Sequence, residues 1–131
     1  MSDLIKTMTL SASGMTAQSA RLRHVSENIA NVDTPGYRRK LVAFEAMPPA
    51  EPGAPRLVAP GRVRLDRSDL PLVHDPSHPM ADADGNIRGS NVDLVIEIAD
   101  ARQAQRSYEA NLKMFDQARQ MTRSLFDLLR N

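Results

Sequence analysis

A mainly α fold, with two long terminal helices around a small irregular insert, is what the sequence predicts, on three observations. All nine prolines lie between Pro35 and Pro79, and proline breaks a helix interior by removing a hydrogen bond and clashing with the preceding turn. Both proline-free ends carry apolar residues at steps of three and four, the spacing of a helix with one apolar face. Between them, short apolar runs bounded by glycine and proline read as strands joined by turns. The implied division is an N-terminal helix over 1–31, a Pro/Gly-rich insert over 32–92 and a C-terminal helix over 93–131.

The N-terminal helix rests on Leu4, Met8, Ser11, Met15, Gln18, Leu22, Val25 and Ile29. Steps that alternate between four and three average 3.5 residues, which keeps one seam facing a partner helix and predicts coiled-coil-like pairing. The run Ser11-Ala12-Ser13-Gly14 permits close backbone approach, although Gly14 costs ~1 kcal/mol against alanine inside a helix. Asn28 and Asn31 are candidate C-caps, and Pro35 forbids continuation.

In the insert, residues 41–46 read as a strand with Val42 and Phe44 facing one way. Pro48, Pro49, Pro52 and Pro55 follow and predict extended loop. Gly61-Arg62-Val63-Arg64-Leu65 alternates apolar with basic residues, as a half-exposed strand does, and Leu72-Val73-His74 is a third strand. Asp84-Gly85-Asn86 is a turn signal. The basic run Arg38-Arg39-Lys40, flanked by Asp33 and Glu45, reads as a solvated loop.

The C-terminal helix is marked by Leu94, Ile98, Ala101, Gln105, Tyr108, Leu112, Phe115, Ala118, Met121, Leu125 and Leu128. Asn91 or Asp93 can cap its start. Acidic Glu97 and Asp100 come early and Arg119, Arg123 and Arg130 late, which suits the helix dipole. The simplest pairing is antiparallel within the chain, with outer faces left for neighbours.

Composition excludes several function classes. The net charge is +1, from 17 basic and 16 acidic residues, and none of the three segments carries the basic excess that nucleic-acid binding needs. There is no cysteine, so disulfides and thiolate metal sites are excluded. No apolar stretch reaches the ~20 residues of a membrane span. The N-terminus lacks the basic-then-apolar pattern of a cleaved secretory signal.

One cluster resembles a site: His74-Asp75-Pro76-Ser77-His78-Pro79. Two histidines four apart share a face only on a helix, which Pro76 and Pro79 exclude. Asp82-Ala83-Asp84-Gly85-Asn86 fails the calcium-loop pattern, with glycine at position 4 and Asp93 at position 12. Nothing argues for an enzyme, a cofactor, a metal or a small-molecule substrate.

The stretch His24–Lys40, HVSENIANVDTPGYRRK, resembles the signature of bacterial flagellar axial proteins, the rod and hook family. The matching residues are Asn28, Ala30, Asn31, Thr34, Pro35, Gly36 and Tyr37. The two asparagines can bond freed backbone, Pro35-Gly36 enforces a turn, and Tyr37 can pack back on the helix. Three more stretches resemble the short proximal-rod members of that family. They are Ser11–Gln18, the motif built on Asp75, Pro76, His78 and Pro79 with Ser77 in place of glycine, and Arg106–Asn111.

The resemblance implies a structural subunit of the rod, the torque-transmitting shaft that crosses the periplasm. It implies partners among copies of itself and neighbouring rod proteins, and passage through the flagellar type III export apparatus without a cleaved signal. The helix spacing, together with the resemblance, marks for helix packing and assembly Leu4, Met8, Met15, Leu22, Val25, Ile29, Ile98, Tyr108, Asn111, Leu112, Phe115 and Leu125. Asp75-Pro76 and His78-Pro79 become a rigid turn of the insert. Two alternatives stay open: another short rod subunit of the same family, and a cytoplasmic coiled-coil adaptor or export chaperone.

Overall fold

A computed structural model describes residues 1–130. Two helices dominate it: α1, Ser2–Ala30, and α2, Leu94–Arg130. Between them lie strands β1 (Lys40–Ala46), β2 (Val58–Leu65), β3 (Leu72–His74) and β4 (Asn86–Arg88), arranged as two separate antiparallel hairpins.

α1 and α2 run antiparallel. Gly14 lies against Asn111, Arg21 against Asp100 and Gln103, and Asn28 against Glu97. With 37 residues against 29, α2 is longer by about 12 Å. Asp93 caps it, its carboxylate accepting from the N–H groups of Val95 and Ile96 at 3.0 and 3.4 Å. Asn91, the other candidate cap, is used elsewhere. Asn31 closes α1, its side-chain amide donating to the Glu27 carbonyl at 2.8 Å.

The face that α2 turns toward α1 takes only part of its predicted row: Ala118 is buried and Ala101, Tyr108 and Phe115 are half-buried, while Leu94, Ile98, Leu112, Met121, Leu125 and Leu128 are exposed. Glu97, Ala104 and Ala118 are buried and Asn111 is half-buried. Those four recur every seven residues, one position before Ile98, Gln105, Leu112 and Arg119. On α1 the buried residues are Ser11, Ala17, His24, Val25 and Asn28. Small side chains let the backbones come together, closely enough that a Cβ on Gly14 would lie 2.8 Å from the Asn111 amide. A Cβ there would require the Asn111 side chain to shift.

The β1–β2 hairpin lies on α1, with the Val58 N–H donating to the Ser13 hydroxyl at 3.3 Å. Val42 pairs with Val63 and Phe44 with Pro60, so Gly61 and Arg62 together oppose Ala43 in a bulge. Val42 and Phe44 are half-buried while their β1 neighbours Leu41, Ala43 and Glu45 are exposed, as alternation predicts. β2 departs from expectation: Val63 and Leu65 are both exposed. This two-stranded sheet packs on α1 alone, and no second layer covers its outer part.

The β3–β4 hairpin is tied to the chain by Gly36 N–H donating to the Arg88 carbonyl at 3.0 Å and, just past β4, by the Ser90 hydroxyl donating to the Val32 carbonyl. Of its strand residues only Ile87 is buried. Such a hairpin is marginal by itself and takes its order from these anchors.

Candidate functional site

Three features of the molecule bear on function: a polar junction at one end of the helix pair, the loop of the second hairpin, and the outward face of α2.

The junction is built from the turn that ends α1. Asn28 is 1% exposed and all its polar atoms are engaged. Its carbonyl oxygen accepts from Tyr37 Oη and from the Lys40 N–H, both at 2.9 Å. Its amide donates to the Lys40 carbonyl at 3.0 Å and to Glu97 Oε2 at 3.2 Å. Asn28 is therefore a link between α1, β1 and α2, and the cap role falls to Asn31 alone. Thr34 donates to Asn31 Oδ1 at 3.1 Å, and Gly36 takes φ 75°, a left-handed conformation that glycine adopts without steric cost. Tyr37 thereby folds back onto the helix. Its partial burial pushes the phenol up from its usual range.

The basic run does not behave as the solvated loop that its sequence predicts. Arg39 pairs through Nε with Glu97, which is fully buried, and through Nη2 with Asp100 at 2.9 Å. Arg21 reaches the other Asp100 oxygen at 3.3 Å. Arg38 donates to the carbonyls of Asp66 and Ser68 at 3.3 and 2.9 Å. Lys40 meets Glu27 at 2.6 Å; this bond lowers the Glu27 carboxyl below its ordinary value and raises the Lys40 ammonium. The reason for the difference is tertiary: the carboxylates on α2 come from far along the chain. Asn91 completes the knot, accepting from the Arg39 N–H at 2.6 Å and donating to the Asp66 carbonyl at 2.9 Å.

The Asp75–Pro79 motif forms the loop between β3 and β4. Asp75 accepts from the Ser77 hydroxyl at 2.7 Å, which holds its carboxyl below the usual range. His78 accepts from the Met80 N–H at 3.1 Å through Nδ1. Asp82 accepts from the N–H groups of Asp84 and Asn86, both at 2.9 Å. These polar groups bond their own loop. Among the described residues, no three His, Asp or Glu side chains gather as a metal site, and no helix is long and apolar enough to cross a membrane.

The sequence-predicted packing residues divide into two sets. Val25 is buried, and Leu4, Met8, Met15, Leu22, Ile29, Tyr108, Asn111 and Phe115 are half-buried around the helix pair. Ile98, Leu112 and Leu125 are exposed, together with Leu94, Val95, Ile96, Met114, Met121, Phe126, Leu128 and Leu129. A monomer rarely leaves so many large apolar side chains in water unless something covers them. Glu97 and Arg39 were not legible as functional positions. The seven-residue recurrence of Glu97, Ala104, Asn111 and Ala118 was the available signal for the inward face.

Two family descriptions match the chain. Residues 8–38 match "Flagella basal body rod protein", and residues 83–128 match "Flagellar basal body rod FlgEFG protein C-terminal". Among curated relatives, the flagellar basal-body rod protein FlgC of Agrobacterium fabrum is 42% identical over 137 residues, covering 99% of this chain and 98% of its own. FlgC of Aquifex aeolicus is 35% identical, covering 97% and 95%. FlgC of an Escherichia coli O6:H1 strain is 36% identical, covering 90% and 92%. With likeness running through both helices and the insert, the chain belongs to the FlgC family of flagellar basal-body rod proteins.

Proposed function

We infer that the chain is a structural subunit of the flagellar basal-body rod, built into the shaft through its helices. One observation carries the inference: α2 fully buries only Glu97, Ala104 and Ala118 and leaves most of its large apolar side chains exposed, with Tyr108 and Phe115 half-buried. A chain that folds this way keeps its strongest adhesive surface for neighbours. Each helix then has one face for the subunit and another for the assembly, and the seams pack in coiled-coil fashion.

The three-part division follows from the same reading. Residues 1–31 and 93–131 are the rod-core helices, and 32–92 project outward against neighbouring subunits. The Asn28–Tyr37 turn sets the angle between core and insert, and the Asp75–Pro79 loop stiffens the tip of the second hairpin. The reading entails no catalysis. It also entails export through the flagellar type III apparatus without a cleaved signal, and residence where the rod crosses the periplasm.

Mass spectrometry of purified, detergent-resistant hook–basal bodies from the source bacterium tests this. The chain is expected there at low copy number relative to the hook subunit. Its absence, with the chain recovered from the cytoplasm of flagellated cells, would overturn the rod reading in favour of an adaptor or export chaperone.

A further inference from the structure

The chain holds seven methionines and neither cysteine nor tryptophan, so thioether sulfur is its most oxidisable group. Two of the seven stand together in the open. Met114 and Met121 are each 51% exposed on α2. Seven residues apart, they share one face of the helix, about 10 Å from each other along its axis. With Leu4 and Thr7 of α1, and with Gln117 and Ala118, they line a shallow groove at the open end of the helix pair. Met8 and Met15 of α1 are half-buried. Met47 and Met80 are exposed too, but they belong to the insert, just past β1 and between β3 and β4.

We propose that Met114 and Met121 form a redox-sensitive modification site, open to peroxide in the free subunit and closed to it once neighbours cover α2. A sulfur lone pair attacks one oxygen of hydrogen peroxide, the S–O bond forms and the O–O bond breaks. The departing hydroxide takes up the transferred oxygen's proton and leaves as water. Sulfur loses two electrons and the peroxide gains them. Each flexible apolar side chain thereby becomes a polar, chiral sulfoxide, which sulfoxide reductases can return to the thioether. On the free chain, water solvates the new oxygen. Between subunits that water must be shed, and burying a polar group without a partner is unfavourable. Thr7, beside both methionines, has its hydroxyl proton engaged with the Asp3 carbonyl at 2.9 Å. The block on assembly rests on the rod-subunit reading; the modification itself does not.

The test has two arms. In the first, the purified full chain is exposed to hydrogen peroxide and oxygen uptake at each methionine is followed by peptide mass spectrometry. Met114 and Met121 should react at least about threefold faster than Met8 and Met15; equal or slower reaction would overturn the site. In the second, cells lacking their own copy carry the wild type, the pair Met114→Gln with Met121→Gln, which imitates the polarity of the sulfoxides, or the pair Met114→Leu with Met121→Leu. The glutamine pair should enter basal bodies at least about tenfold less than wild type, with helix content unchanged by circular dichroism. The leucine pair should enter normally and keep entering after a peroxide pulse that stops the wild type, although Met47 and Met80 still take up oxygen. Undiminished entry of the glutamine pair, or a leucine pair as peroxide-sensitive as wild type, would refute the block. Should the glutamine pair lose helix content, the leucine pair decides. A wild-type chain absent from basal bodies without peroxide would refute the rod reading instead, and the first arm would still judge the modification.

Discussion

The two ends of the helix pair are held by opposite chemistry. Where α1 turns into β1, Asn28, Arg39, Glu97 and Asp100 bond one another across three elements. At the far end Leu125, Phe126, Leu128 and Leu129 of α2 are exposed. Directional polar groups fix which segments meet and in what register, and leaving one unpaired in the interior is costly. Apolar surface is non-directional and favours whatever covers it. The first suits a contact that must be unique inside each subunit, the second a contact between subunits.

The sharpest way to break that contrast is at the junction. Arg39→Ala leaves the Glu97 carboxylate fully buried without its ion partner, which should cost about 3–5 kcal/mol in urea unfolding. Replacing both partners by apolar residues of similar volume, Arg39→Met with Glu97→Leu, should recover most of that loss. If the single variant lost under ~1 kcal/mol, the junction would not be the fixed end of the pair.

A smaller effect is expected midway along the pair. Gly14→Leu would drive a side chain into Asn111, and such overpacking costs about 1–3 kcal/mol. Asn111→Ala in the same chain should relieve part of it. A leucine at position 14 with unchanged melting would mean that the backbones do not approach closely there.

At the open face the expected stability change is smaller again. Leu112 is exposed, so Leu112→Asp should shift the free chain's stability by no more than ~0.5 kcal/mol. Motility of cells carrying it should nevertheless be lost, because the carboxylate would then be buried between subunits. Normal swimming would break the assignment of that face to assembly.

The smallest effect concerns the Glu27–Lys40 pair at the rim of the junction. The folded Glu27 carboxyl lies below its ordinary 4.5, chiefly through the Lys40 bond. Its contribution is therefore present above about 4.5 and lost as pH falls through the lowered value. Lys40 lies above its ordinary 10.5 for the reciprocal reason, so its contribution holds below that value and is lost as pH rises through the raised one. Glu27→Gln should flatten both limbs of the stability–pH curve in wild-type-matched melts. Unchanged slopes would show that this exposed pair is decoupled from folding.

The helices, their boundaries and the strands Lys40–Ala46 and Leu72–His74 were legible because their signals are local. Proline placement, apolar period and turn residues act within a few positions of themselves. The Asn31 cap and the return of Tyr37 onto the helix were legible for the same reason, whereas Asn28, read as a cap, bonds Lys40 and Glu97 instead. The Arg38-Arg39-Lys40 run was misread because its partners Glu97 and Asp100 are some sixty residues away, and nothing local marks them as its counterions. Val63 and Leu65 were misread in a related way, since alternation describes a strand but not the number of layers around it.

By itself, then, the sequence determined the two helices, the proline-rich insert and the family to which the signature points. Tertiary structure decided which face of each helix turns inward. A periodic apolar row is equally consistent with facing the partner helix or facing a neighbour. The choice fell mostly to residues that the row does not contain: Gly14, Ala17 and Ala104, small enough for the backbones to close, and Asn28 and Glu97, which must find partners once they are buried.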